Sequence, residues 1–376
     1  MTRRKKTIFI NQDSGYLMID ILNAYSNAGY ECVLFTGRLN VRNNPLNPGI
    51  RLERIIKYNR TTAFKRLITW VIGSFQIWLK LVFRYRKDDL FIVSNPPFAP
   101  LLSLLVGNNF KLLIFDVYPD ALTELGYFSE RSFIIKTWGQ ANRRVFAKAG
   151  EIFTISESMR SLLAYYDEKA LIKVVPLWTD NSFLRPLKPA ENPFLHKYNL
   201  VEKFVVLYSG NIGLSGDVDV LVDIAAKVKR EDIVFVIIGD GAKKAMIEQK
   251  VYDLGLESVI MLPWQLPSDL PYSLSSASLA VVSLGIRASK LAIPSKFVNY
   301  LSVGAPILSI SSRDSEVSKL VTRYSCGRSF EPDDINGMAK FITNVADDKV
   351  LQSELRRNSM KASADFSSSN CKMFLP

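Results

Sequence analysis

Residues 293–310, IPSKFVNYLSVGAPILSI, run from a helix into a strand. Pro294 and Ser295 read as the helix start, with Ser295 as an N-cap lending its oxygen to orphan backbone N–H groups. Phe297, Val298, Tyr300 and Leu301 supply an apolar face. Gly304 and Pro306 end the helix, and residues 307–310 continue as a strand. Lys296 falls in the first turn, where the helix dipole favours carboxylates over ammonium groups. That misfit has a use if an anion sits at the helix end, because backbone N–H groups, dipole and ammonium then converge on it. The plainer alternative is a surface helix with its lysine in water.

Working outward, the same pairing of helix and strand recurs along the chain. Short apolar runs at 204–208, 233–238, 259–262 and 279–283 are separated by helix-length segments. The N-terminal half repeats the pattern with runs at 7–10, 32–35, 90–93, 111–115, 151–155 and 172–175. Met18, Ile21, Leu22 and Tyr25 fall at i, i+3, i+4 and i+7, one face of a helix ending at Gly29. Such alternation means parallel sheets covered by helices on both faces. Residues 176–200 carry four prolines and no sustained period, so they read as an interdomain link. The expected architecture is α/β, with two doubly wound, Rossmann-like domains facing a central cleft that receives ligands at the carboxyl ends of the strands.

Length agrees, since 376 residues exceed one ordinary core. A hydrophobic content of 48% with 22% charged residues is globular and argues against disorder. Three scattered cysteines and one histidine, His196, leave no zinc site to build and point to a reducing compartment. With its sole histidine in the link and no Gly-x-Ser-x-Gly elbow, the chain has no hydrolytic triad. The net charge of +12 is one-ended: residues 1–90 hold 16 Lys and Arg against 6 Asp and Glu. An anionic partner follows, either a membrane surface or nucleic acid. The first residues read as no signal peptide, because their apolar run is too short.

Residues 61–87 carry the exception to the alternating pattern. Residues 67–83 are almost wholly apolar, yet short of the roughly 20 residues a spanning helix needs. Gln76 and Lys80 would be costly at the bilayer centre. Trp70 and Trp78, flanked by Lys65, Arg66, Arg84, Arg86 and Lys87, suit a helix lying among lipid headgroups. A helix buried between domains is the competing reading.

Two glycine-bearing turns follow strands: YSGNIG at 208–213 and Gly239-Asp240-Gly241. Such glycines allow a backbone to approach a ligand closely, although neither turn is a Walker loop. Asp116 follows the run at 111–115, where a carboxylate would meet a hydroxyl or a sugar. Asp120 reads instead as a helix cap.

In this order SNPPFAP, IFDVYPDALTELG, FTISESM, VPLWTDNSFLRP, VLYSGNIG, VIIGDGAKK, LPSDLPYSLSSASLAVVSL and IPSKFVNYLSVGAPIL resemble glycosyltransferase family 4 over nearly the whole chain. These are retaining enzymes of GT-B fold, and the resemblance is to the branch that builds bacterial cell-surface polysaccharides. It implies donor binding by Gly210, Asn211, Gly213, Gly239, Gly241, Trp264, Ser295, Lys296 and Asn299, and catalytic roles for Asp116 and Lys296. The family's two glutamates fall on Leu291 and Asn299, neither of them acidic. Its histidine after the fourth N-domain strand is absent, with Asp116 in that neighbourhood.

The expected domains are 1–180, membrane-associated and acceptor-binding with the tail 365–376 packed back on it, a linker at 181–200, and a nucleotide-sugar domain at 201–364. The expected reaction moves a sugar from a nucleoside diphosphate, uridine rather than guanosine, to a lipid-linked saccharide. It would run peripherally on the anionic cytoplasmic face of the plasma membrane, without metal, cofactor or nucleic acid. Two alternatives stand beside it: a non-catalytic GT-B partner subunit, and a basic nucleic-acid-binding protein.

Overall fold

The computed structural model describes residues 5–124, 129, 131–213, 216–285 and 293–376. The chain divides into two units, Met1–Pro176 with Ser369–Pro376, and Leu177–Ser368. Each is built on one parallel sheet between helices, giving the two Rossmann-like halves of a GT-B fold.

In the first unit the strands lie in the order Arg51–Arg54, Glu31–Thr36, Lys6–Ile10, Asp89–Val93, Phe110–Ile114, Glu151–Thr154, Ile172–Val174. Apolar residues of the inner strands are almost wholly buried, because a parallel sheet covered on both faces needs near-continuous apolar runs. Strand order reverses direction between Lys6–Ile10 and Asp89–Val93. Crevices open at the carboxyl ends of strands at such points. The C-terminal tail belongs to this unit. Phe374 packs 4.8 Å from the Phe153 ring, and its carbonyl accepts the Tyr25 hydroxyl at 2.6 Å.

The second unit orders its strands Val259–Leu262, Ile233–Ile238, Phe204–Ser209, Leu279–Ser283, Ile307–Ile310, Gly327–Phe330. Its reversal falls between Phe204–Ser209 and Leu279–Ser283. The helix Ser295–Ser302 follows the latter strand. Its N-cap is Pro294, in extended conformation, so Ser295 is the first helical residue and makes no side-chain cap. The expected serine cap is thereby corrected: the Pro294 carbonyl accepts the Phe297 N–H at 2.9 Å and closes the first turn. At the other end Gly304, with φ +68°, donates to the Leu301 carbonyl while Ala305 reaches back to Tyr300. That pair of bonds is a Schellman stop.

Further expectations change with the structure. Residues 181–200 are no free linker but part of the second unit. Leu184, Phe194, Leu195 and Leu200 are buried there, and Asn192 caps the helix Pro193–Lys197 while donating to the Tyr272 carbonyl. Arg51–Arg54 and Gly327–Phe330 are strands the apolar runs did not announce. The long apolar segment forms the helix Ala63–Arg84, 22 residues or about 33 Å, so shortness is no argument against spanning. By length and composition it could cross a membrane.

The faces of that helix are more informative than its length. Thr69, Trp70, Gly73, Ser74, Ile77 and Leu81 are buried within the unit. Lys80 and Arg84 both reach Glu53, at 2.7 and 3.2 Å. Phe64, Leu67, Ile68, Val71, Ile72, Phe75 and Phe83 remain exposed, a continuous apolar stripe at helical spacing. Trp70 is therefore corrected from a membrane anchor to an inward-facing residue, 8% exposed and stacked on Tyr58. Arg66 likewise turns inward, whereas Trp78 is half-buried and Lys65, Arg84, Arg86 and Lys87 are exposed.

Candidate functional site

At the second unit's reversal point, the strand Phe204–Ser209 leads into the turn at 210–213, and the helix Ser295–Ser302 aims its first turn at it. Lys296 Nζ stands 3.9 Å from the centroid of the Tyr208 ring. Gly210 makes room for it, since a Cβ there would lie 2.5 Å from Nζ and 2.9 Å from Cε. The Tyr208 hydroxyl donates to the Asn211 carbonyl at 2.7 Å, and the Tyr300 hydroxyl accepts the Ser209 N–H at 2.7 Å. The entry to the turn at Ser209 and its second residue, Asn211, are thus tied to tyrosines, one of them on the same helix as Lys296.

Among the described residues no carboxylate pairs with the Lys296 ammonium. Burial lowers its pKa from 10.5 to about 7. A desolvated cation against an aromatic face at a helix start has lost its hydration without gaining a counter-charge. An anion placed there would meet the ammonium and the free N–H groups of the helix together.

Gly239 and Gly241 have a packing role in the structure. A Cβ on Gly239 would stand 2.0 Å from the Gly210 carbonyl oxygen, and one on Gly241 would stand 2.4 Å from that of Ile212. They let two turns lie backbone to backbone, joined by the Ile212 N–H to the Asp240 carbonyl at 2.8 Å. Gly213 gives its space to the Asn211 amide, 2.5 Å from where its Cβ would be, and Asn211 itself is exposed. Trp264 is 56% exposed, two residues beyond the strand Val259–Leu262, whose last carbonyl accepts the Gly239 N–H at 3.0 Å. Ser295 is exposed at the helix start, and Asn299 is buried one turn along from Lys296. Leu291 lies outside the described residues.

Asp116 belongs to a second site, at the first unit's own reversal point. A cavity of about 410 Å³ opens there between Asn11, Ser94, Asp116, Tyr58, Arg66 and Trp70. Ser94 fixes the turn by accepting the N–H groups of Phe115 at 3.1 Å and Asp116 at 3.3 Å. The Asp116 carboxyl opens into the cavity, yet the surrounding protein desolvates it and raises its pKa. Asp120 is no N-cap: it sits inside the first turn of Asp120–Glu124 and accepts the Tyr166 hydroxyl. Among the described residues no cluster of histidine, cysteine and carboxylate side chains has the makings of a metal centre.

The sequence assigned no role in the site to Tyr208, Tyr300, Tyr58 or Ser94. Tyr208 opens the YSGNIG motif and Tyr300 lies one turn beyond Lys296, so spacing held a trace of both. Nothing local distinguishes Tyr58 or Ser94, which become neighbours only through the sheet.

Residues 194–363, just under half the chain, match the family described as glycosyl transferases group 1. The probable glycosyltransferase WbjE of Pseudomonas aeruginosa is 23% identical, the match spanning 77% of this chain and 74% of that protein. The putative colanic acid biosynthesis glycosyl transferase WcaI of Escherichia coli is 25% identical over 70% of this chain and 67% of that one. The crystal structure of Anabaena HepE with UDP and glucose superposes with a TM-score of 0.71, at 14% identity, over 98% of both chains. That similarity extends to the fold.

Proposed function

We propose that this chain, a GT-B glycosyltransferase by its fold and its group 1 domain, is a retaining enzyme of surface polysaccharide synthesis. It moves a sugar from a uridine diphosphate donor to a lipid-linked saccharide. The observation that carries the donor reading is the half-buried Lys296 side chain, its ammonium aimed over Tyr208 at the start of its helix. As the bond from anomeric carbon to diphosphate oxygen breaks, negative charge grows on the leaving group. A preorganised dipole and ammonium stabilise that charge most when it is fully developed. The acceptor hydroxyl forms the new bond and gives up its proton, and Asp116 is the group we assign to orient or receive it. Binding of UDP and glucose by HepE supports the choice of donor.

The exposed apolar stripe of Ala63–Arg84, with Lys65, Arg86 and Lys87 at its ends, supports a peripheral seat on an anionic membrane. On that reading the enzyme works at the cytoplasmic face of the plasma membrane.

The test is a panel of UDP- and GDP-sugars incubated with lipid-linked acceptors, with products identified by mass spectrometry and anomeric configuration by NMR. Transfer from a UDP-sugar with retention is expected, whereas inversion or exclusive use of GDP-sugars overturns the corresponding assignment. A second reading, a non-catalytic partner subunit, draws on Asn299 standing where the family resemblance expects a carboxylate. Donor binding without hydrolysis or transfer to any acceptor would favour it.

A further inference from the structure

We propose that the first unit contains a phosphate subsite, which holds the phosphate or diphosphate joining the acceptor saccharide to its lipid. The proposal rests on the lipid-linked acceptor read above and deepens it. Two adjoining cavities carry the argument, the 410 Å³ cavity around Asp116 and an open groove of about 890 Å³, which share Tyr58 and Arg60. The groove is lined by Arg38, Lys57 and Arg60, and no carboxylate lines it. Arg60 is held by Asp13 at 2.8 Å, but neither Arg38 nor Lys57 has a carboxylate partner among the described residues.

The cavity around Asp116 adjoins this groove and sets Arg60 and Arg66 beside the carboxylates of Asp13 and Asp116, so the phosphate belongs to the groove and the saccharide to the cavity. Arg66 lines it, with Nε shut away from water and no hydrogen-bond partner among the described residues. Trp70 Nε1 and Asn11 Oδ1 are orphaned in the same way. With almost no accessible surface, these three atoms lie behind the cavity wall, so what Arg66 offers a ligand is its charge and what Trp70 offers is its ring. The Trp70 ring, stacked on Tyr58 with centroids 5.8 Å apart and planes 16° from parallel, adds an aromatic wall of the kind a sugar ring packs against.

The helix Ala63–Arg84 explains why the ligand belongs to a membrane. Within two turns it turns Arg66 and Trp70 toward the cavity, while Leu67, Ile68 and Val71 are exposed on its other side. A phosphate between a lipid tail and a saccharide needs this arrangement: apolar contact on one side of the helix and cations at headgroup depth on the other.

The test uses two acceptors with the same saccharide, one a decyl diphosphate conjugate and one a neutral decyl glycoside, titrated into the full chain by calorimetry. The parent chain should bind the diphosphate form at least about tenfold more tightly. Arg66→Gln, Lys57→Gln and Arg38→Gln should each reduce that preference, and UDP affinity and binding to phosphatidylglycerol vesicles should stay unchanged. Lys57 and Arg38 are exposed, so their variants decide the matter if Arg66→Gln does not fold. Equal affinity for both acceptors overturns the subsite. So does vesicle binding that falls in step with acceptor binding, because the cations would then read bulk membrane charge. Transfer to both acceptors with equal KM removes the subsite and leaves the transferase reading. A diphosphate preference with no transfer from any donor keeps the subsite and removes that reading.

Discussion

Lys296 and Tyr208 form a cation–π pair, with the ammonium 3.9 Å from the ring centroid, across a helix and a strand far apart in sequence. The pair holds a charge in a half-buried position beside the turn at 210–213. Tyr300, on the lysine's helix, ties down the same turn through the Ser209 N–H.

If the diphosphate binds there, Lys296→Ala removes a charge-assisted hydrogen bond of roughly 1.5–3 kcal/mol, on the order of ten- to hundred-fold in affinity. Calorimetric titration with UDP measures it. Affinity equal to that of the parent chain would move the diphosphate elsewhere.

The same site predicts a pH dependence. With its pKa lowered to about 7, Lys296 is cationic below that pH and neutral above it in the free protein. A bound diphosphate favours the ammonium, so binding above pH 7 takes up a proton and weakens as pH rises. Titrations at pH 8 in buffers of different ionisation enthalpy should report that uptake, and Lys296→Ala should abolish it.

Glycine substitutions separate positioning from folding. The Cβ of Gly210→Ala meets the flexible end of Lys296, so the variant should fold with near-normal Tm and bind UDP less tightly. Gly239→Ala drives a methyl into the Gly210 carbonyl at a φ of +149°, and should lower Tm by several degrees instead. Thermal denaturation alongside UDP titration distinguishes the two.

Asp116→Asn is nearly isosteric and should fold normally while lowering kcat about a hundredfold or more. Because the surrounding protein desolvates Asp116 and raises its pKa, the ionised form is lost as pH falls through a value above the ordinary one for aspartate. The acid limb of the parent's kcat profile should report that ionisation, and the variant should lack it.

Phe75→Ser with Val71→Ser should release the protein from anionic vesicles in flotation without changing Tm, since both residues are exposed. Trp70→Ala should do the reverse, costing about 3–5 kcal/mol of stability through a lost buried aromatic.

The sequence by itself determined the alternation of strands and helices, because inner strands of a covered parallel sheet must be apolar throughout and 204–208 or 233–238 admit no other use. It also determined the helix stop at Gly304, the turn at 208–213, and a lysine misplaced for its dipole. Of the four edge strands in the two large sheets, Ile172–Val174 and Val259–Leu262 kept apolar runs, whereas two escaped it. Arg51–Arg54 and Gly327–Phe330 each have one neighbouring strand and exposed positions, so no apolar run marks them. Only tertiary structure decided which way Trp70 and Arg66 face, since an apolar helix with one side on a sheet and one side exposed has no polar stripe to orient it. Only tertiary structure, likewise, brought Tyr208 and Gly210 to Lys296, nearly ninety residues away, where burial in their company rather than local sequence turns an ordinary lysine into a desolvated cation.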